Sequence, residues 1–416
     1  MNLAIISLAA LLLAILVSCT MKLNVGILSI VLAWIIGVYL GGMSVNEVIA
    51  GFPTQLFLTL AGVTLLFTQA QANGTLPRVA HHAVRLCRGN AGLIPILFFF
   101  LGVTLASMGP GNIATAALLA PMAMAVAGRM RIPAFLMAIM VGNGANAGSL
   151  SPFAPTGIIV NNLMNGMGLG GVEWQTYLNN LLAHTAVAFA GYFLLGGWKL
   201  FRQNNSGEIR EEAAENLSFQ ARHWITLAVI GLLVISVIFF KVHVGMGAFA
   251  GAVVLALGQV ADGTDSIRKM PWSVILMVTG VTVLIALLEK TGGLDLFTDL
   301  LARTSTAESV TGMVAFITGL ISVYSSTSGV VLPAFLPTVP GLAERLGADA
   351  LAIASSMNIG SHLVDLSPVS TIGALCLASA PSTEDARALF NRLLAWGMSM
   401  TIVGGVLCYL FFGQLS

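Results

Sequence analysis

Charge is what this chain has least of. Only 8% of its 416 residues are Asp, Glu, Lys or Arg, about a third of what a soluble domain carries, while 57% are apolar and the mean hydropathy is +0.93. That excludes a soluble globule. Eighteen Lys and Arg against 17 Asp and Glu leave a net charge of +1, so no basic face exists to neutralise a nucleic acid backbone. Cysteine is equally scarce. Cys19, Cys87, Cys376 and Cys408 stand singly in or beside apolar stretches, without the spacing of a zinc site or a disulfide framework, and read as packing residues. Catalytic arrangements are missing too: Ser361 and His362 are adjacent and poorly placed as nucleophile and base, and no metal-ligand spacing occurs. Neither an enzyme nor an organic cofactor is expected. Finally, no basic residue precedes the first apolar run, residues 3–18, as a secretory signal requires. Leu16-Val17-Ser18-Cys19 resembles a lipoprotein cleavage box, but a second apolar run follows at once after Lys22, and the segment reads as a retained span.

What the chain does have is long apolar runs. Eight of about spanning length lie near residues 3–19, 23–42, 54–71, 178–199, 224–240, 245–260, 272–289 and 390–413. Two more stretches, 91–171 and 310–380, are apolar but punctuated by Gly, Pro, Ser and Asn. Irregular backbone at membrane depth is tolerated only inside protein or along a cavity, so these stretches mark the site.

An internal repeat relates the pieces. Phe52-Pro53, Ala61-Gly62-Val63-Thr64 and Asn73-Gly74-Thr75-Leu76 recur 218 residues on as Met270-Pro271, Thr279-Gly280-Val281-Thr282 and Thr291-Gly292-Gly293-Leu294. Pro121 and Pro337, and Ser151-Pro152 and Ser367-Pro368, are each 216 apart. The reading is an all-α polytopic membrane protein of two repeats, residues 1–202 and 223–416, joined by a cytoplasmic linker, 203–222, whose charges form a solvated face. Each repeat holds a re-entrant hairpin (about 91–130 and about 310–340) and a broken span (about 133–165 and about 345–380), giving about ten spans and two hairpins in all. Each repeat crosses an odd number of times, so the second is inverted relative to the first. With hairpins returning to their own side, 14 Lys and Arg, among them Lys22, Arg85, Arg88 and Arg210, collect on one face and only Lys241, Lys290, Arg303 and Arg345 on the other. The positive-inside bias makes the first face cytoplasmic and puts both termini outside, in the periplasm for a bacterial inner membrane.

The hairpin tips are small and polar: Ser107-Met108-Gly109-Pro110-Gly111-Asn112 before Ile113, and Tyr324-Ser325-Ser326-Thr327-Ser328-Gly329. A helix starting at such a tip points free amides and partial positive charge into the membrane, which suits a carboxylate. Small residues also serve close helix packing, the alternative use of these tips. The broken spans carry Gly142–Gly157, with Asn143, Gly144, Asn146, Ser151 and Pro152, and residues 358–371, with Asn358, Gly360, His362, Asp365, Ser367 and Pro368. Unwound backbone there would present carbonyl oxygens, hard ligands that suit an alkali cation. Asp365 is the carboxylate placed in the middle of a broken span. It marks an ion or proton path, or else caps the helix that follows, accepting from amides near Ser367 and Pro368. His184 reads as a structural hydrogen-bonding residue.

The run Gly51-Phe52-Pro53, Leu56-Phe57-Leu58-Thr59-Leu60, Gly62-Val63-Thr64, Leu66-Phe67, Asn73-Gly74-Thr75, Arg85-Leu86 and Arg88-Gly89 resembles the N-terminal signature of the MatC-type malonate and dicarboxylate carriers. These are more distantly similar to the divalent anion:sodium symporters of the ion transporter superfamily. The resemblance implies an elevator-type carrier, usually a homodimer, whose mobile part comprises the hairpins and broken spans. In the symporters each tip bears a Ser-Asn-Thr motif. Here Gly111-Asn112-Ile113 and Thr327-Ser328-Gly329 stand in its place, and only Asn112 is kept.

The expected function is therefore cation-coupled transport of a small dicarboxylate, malonate or a C4 acid, by a protein surrounded by membrane lipid. Substrate would meet Gly111, Asn112, Ile113, Thr327, Ser328 and Gly329 at the tips, with Ser151, Pro152, Ser367 and Pro368 at the breaks. Sodium ions or protons would be held by Ser107, Asn112, Asn143, Gly144 and Asn146 in one half and by Ser325, Ser326, Asn358, Gly360, His362 and Asp365 in the other. The alternative on the same scaffold is a cation:proton antiporter or an anion channel.

Overall fold

The computed structural model describes residues 2–21, 23–84, 90–202, 218–381 and 383–413. Cys87, Lys22, Arg85, Arg88, Arg210 and most of the linker lie outside the described residues. The first half contains α1 (Leu3–Thr20), α2 (Val25–Trp34, prolonged by a π-helical turn over Ile35–Leu40), α3 (Val45–Ile49), α4 (Thr54–Ala72) and α5 (Thr75–Val84). It continues with α6 (Leu93–Met108), α7 (Gly111–Arg129), α8 (Ala134–Ala147), α9 (Pro155–Gly166) and α10 (Glu173–Leu194). The second half runs through α11 (Ala221–Phe240), α12 (Val244–Leu257), α13 (Gly263–Lys269), α14 (Trp272–Thr291), α15 (Gly293–Ala302) and α16 (Val310–Ser322). After a π-helical turn (Thr327–Val331) come α17 (Leu332–Phe335), a 3-10 turn (Leu336–Thr338), α18 (Val339–Leu346) and α19 (Ala350–Leu363) with a 3-10 turn (Val364–Leu366). The chain ends in α20 (Thr371–Ala378) and α21 (Ala386–Phe412). No strand occurs among the described residues.

Breakers and caps set these boundaries. Pro53 and Pro271 stand just before α4 and α14, whose starts are 218 residues apart (272 − 54). Asn2, Asn24, Asp349 and Asp385 each accept from first-turn amides of the helix that follows them, satisfying donors that a helix start leaves free. α7 runs unbroken through Pro121, whereas Pro333, Pro337 and Pro340 cut the corresponding stretch of the second half into short pieces, each proline removing a backbone donor.

The two halves are interlocked. α4 packs on α12 and α14 on α2, each contact crossing between halves. Glycine permits both: a Cβ on Gly62 would lie 2.3 Å from the Gly245 carbonyl oxygen, and one on Gly280 2.2 Å from that of Gly26. Backbones in such contact gain dispersion energy that lipid cannot supply.

Five stretches are long and apolar enough to cross a membrane: α1, α7, α14, residues 350–378 and α21. Other apolar helices are 10–17 residues long, and the hydropathy of α4 and α10 is diluted by polar side chains. Large apolar residues face outward, Leu194 85% exposed, Leu257 80% and Phe240 75%, which only lipid makes tolerable. The chain is a multi-pass membrane protein.

The breaks are shorter and later than the sequence suggests. α8 stays regular to Ala147 and α19 to Leu363, so Gly142, Asn143, Gly144, Asn146, Asn358 and Gly360 lie in ordinary helix rather than unwound backbone. Their glycines serve packing instead. A Cβ on Gly144 would sit 2.4 Å from the Phe99 carbonyl oxygen, and one on Gly360 2.3 Å from that of Ala315, so α8 lies directly on α6 and α19 on α16.

Candidate functional site

The first tip turns at Gly109 and Gly111, whose φ of +142° and +75° glycine adopts without strain. Asn112, the second residue of α7, accepts from the Ile113 amide at 3.0 Å and donates from Nδ2 to Asn146 Oδ1 of α8 at 2.9 Å. Asn146 donates in turn to the His362 carbonyl at 3.2 Å. The tip is also tied from behind: Ser151 donates to the Ser107 carbonyl at 2.7 Å, and the Ser107 and Tyr177 hydroxyls are 2.9 Å apart.

The second tip is held by hydroxyls. Ser326 accepts from the Gly329 amide at 3.1 Å, and Ser325 meets Ser18 of α1 at 2.6 Å. The Thr327 hydroxyl donates to Asp365 Oδ1 at 2.7 Å and pairs with Ser322. Asp365, 8% exposed in the 3-10 turn after α19, thus reaches across to the tip. Among the described residues no backbone amide donates to its carboxylate, so it does not cap α20; Ser370 holds its backbone carbonyl instead.

Both tips and the second break line one small cavity of about 30 Å³. Asn112 and Ile113 come from the first tip, residues 325–328 from the second, and His362, Asp365 and residues 370–372 from the break. Three helical starts, those of α7, the π-helical turn and α20, put first-turn residues on its wall, favouring negative charge. Among the described residues neither Lys nor Arg lines it. The volume holds about two waters or a bare cation, far less than a dicarboxylate.

The other expected residues stand elsewhere. Gly111 lies against the Pro155 ring and Gly329 against Met277, while Ser367 packs under Gly397. Pro152 and Pro368 are in the breaks but do not line the cavity, and Ser107 and Ser151 hold each other behind the first tip. Asn143 bonds to His184 Nδ1 at 3.0 Å. Asn358, Gly144 and Gly360 lie within helix packing.

Two groups escaped the sequence reading. Ser370, Thr371 and Ile372 line the cavity, and their position just after Ser367-Pro368 was the available signal. On α10, Tyr177 and Asn180 reach Ser107 and the Asn146 carbonyl, beside His184, the expected structural hydrogen-bonding residue, which meets Asn143. Their i, i+3, i+7 spacing along an apolar helix is a polar stripe facing the site.

No curated protein matches the chain. Its first 149 residues, which take in the first tip and all of α8, match the family model described as the dicarboxylate carrier protein MatC N-terminus.

Proposed function

We propose that the protein is a secondary active transporter of a small dicarboxylate, malonate or a C4 acid, coupled to a cation and working by elevator-type alternating access. The observation that carries this reading is the polar cavity between the two tips, walled by helix starts, neutral hydroxyl and amide groups and one carboxylate, Asp365. A dianion entering such a site needs positive charge, and a co-bound cation is the source that remains when no Lys or Arg lines the wall. The cavity is too small for malonate, so loading requires a tip to withdraw. Parting of Thr327 from Asp365 is the natural opening step.

End-to-end contacts support two inverted repeats with both termini in the periplasm. On the cytoplasmic side Arg78 donates to the Ser218 carbonyl at 3.3 Å, and Gly128 lies against Pro381. On the opposite side Lys290 donates to the Glu47 carbonyl at 3.1 Å, and Arg345 pairs with Asp299 at 3.0 Å. The mobile unit comprises the hairpins and breaks, α6–α9 and α16–α20, and a homodimer would anchor the rest.

Proteoliposomes containing the purified protein should accumulate labelled malonate, succinate or fumarate under an imposed sodium or proton gradient. Sodium–proton exchange without uptake of any of the three would replace this reading with an antiporter, and gradient-independent anion leakage with a channel.

A further inference from the structure

His362 carries the clearest unspent chemistry on the cavity wall. It is 0% exposed, and its Nδ1 lies 2.7 Å from the Asn358 carbonyl oxygen, one turn back on α19. A carbonyl only accepts, so Nδ1 bears the hydrogen and Nε2 of the neutral ring is a bare lone pair. Among the described residues Nε2 has no partner. Unpartnered polar atoms recur on the helices packed here. On α10, which packs on α19, Asn180 spends its Nδ2 on the Asn146 carbonyl and leaves Oδ1 unpartnered. His184 is tied at Nδ1 to Asn143 Oδ1, since the Asn143 amide nitrogen donates to the Ile139 carbonyl, and so its Nε2 is also a bare, unpartnered lone pair. Both Asn358 side-chain atoms are buried without a partner. The unpartnered atoms are thus three acceptors from Asn180, His184 and His362, and the Asn358 amide with one donor and one acceptor group.

His362 lines the cavity; a bare lone pair beside a bound carboxylate repels it, and a proton on it reverses the sign. Resting on the carrier reading above, we propose that His362 Nε2 is the site of the co-transported proton, so that the substrate is recognised as a dicarboxylate together with one proton. The balance is simple. The O–H of a singly protonated dicarboxylate donates to Nε2, or a free proton binds Nε2 first and the imidazolium N–H donates to the dianion; either way one proton and two carboxylate groups enter, and both leave on the far side.

The groups facing this ring are few. Asp365 follows on the same chain segment, and the second tip offers only hydroxyls. α8 offers the neutral Asn143 and Asn146. α10, packed on α19, contributes His184 and Tyr177, whose hydroxyl is taken by Ser107. α21 contributes Cys408, whose thiol meets the Ser356 carbonyl.

Calorimetry of malonate binding to the detergent-solubilised protein, in two buffers of different ionisation enthalpy and at a pH where malonate is a dianion, tests this. The wild type should take up one proton per malonate, with affinity rising about tenfold per pH unit lowered. His362→Gln should lose the uptake and the pH dependence, and His184→Gln should keep both. Binding by the wild type without proton uptake, or uptake that persists in His362→Gln, overturns the proposal. Should malonate, succinate and fumarate all fail to bind, the carrier reading falls on its own. Histidine ¹⁵N spectra of the ligand-free wild type still decide the proton site: the Nδ1–H tautomer, with Nε2 bare, is expected. An Nε2–H tautomer overturns it.

Discussion

Asn146 and His362 stand 216 residues apart, the interval that also separates Ser151 from Ser367, and they touch: the Asn146 side chain donates to the His362 carbonyl at 3.2 Å. The end of α8 thus meets the end of α19. Because Asn112 of the first tip bonds to the same Asn146 side chain, the first tip is wired to the second break through one amide.

Asn146→Ala should cut that wire. It leaves the Asn112 amide without its buried acceptor and the His362 carbonyl without its donor, a cost on the order of 1–3 kcal/mol. The expected outcome is a lower melting temperature in detergent and at least a tenfold loss of dicarboxylate uptake at equal protein in the bilayer. Wild-type uptake by this variant would mean that the two halves of the site do not depend on this contact.

Gly280→Ala tests the interlocked scaffold. Its Cβ would lie 2.2 Å from the Gly26 carbonyl oxygen, so α14 and α2 must part, at about 1–3 kcal/mol or more. Gly231→Ala is the control, since nothing lies within 4 Å of a Cβ there. A thermal melt should fall for the first and not for the second; equal melts would remove the crossing from the account of stability.

The helical runs, the two tips and Asp365 were legible because each is a local signal: length and hydropathy for the runs, small polar residues between apolar ones for the tips, and a lone carboxylate in an apolar stretch. The breaks were misjudged because Gly142, Gly144 and Gly360 carry two meanings in sequence. Glycine unwinds a helix in isolation, but here Phe99 and Ala315 press their backbones against Gly144 and Gly360, and the contact keeps the helices regular. The role of Asn180 and the partner of His184 were hidden for another reason. Asn146 and Asn143, which they meet, come from a different helix, and no local pattern states which helices pack.

Membrane orientation can be read with single cysteines in a background lacking the half-exposed Cys19. Arg268 and Glu308 are both exposed, at opposite ends of the α14–α15 segment. Arg268→Cys should be shielded from an impermeant thiol reagent added to whole cells, and Glu308→Cys should be labelled. The same holds for cysteines near Gly207 (shielded) and after Gln414 (labelled), which lie outside the described residues. A reversed pattern would exchange the two faces and with them the side from which each tip is reached.

Asp365→Asn separates charge from shape. The amide is the size of the carboxylate and its oxygen still accepts from the Thr327 hydroxyl, so the tip stays fastened and folding should be close to normal. What disappears is a buried negative charge beside a site that must also hold a dianion. If that charge attracts the coupling cation, the variant should lose accumulation driven by a sodium or proton gradient, while exchange of labelled for unlabelled substrate at equal concentrations persists. Thr327→Val gives the complementary defect, since it keeps the charge and removes the fastening; it should impair exchange as well as accumulation, because a tip that cannot close cannot occlude substrate. Parallel proteoliposome assays of both variants distinguish the roles. Normal gradient-driven accumulation by Asp365→Asn would end the coupling role of this carboxylate and leave Thr327 as its reason for being there.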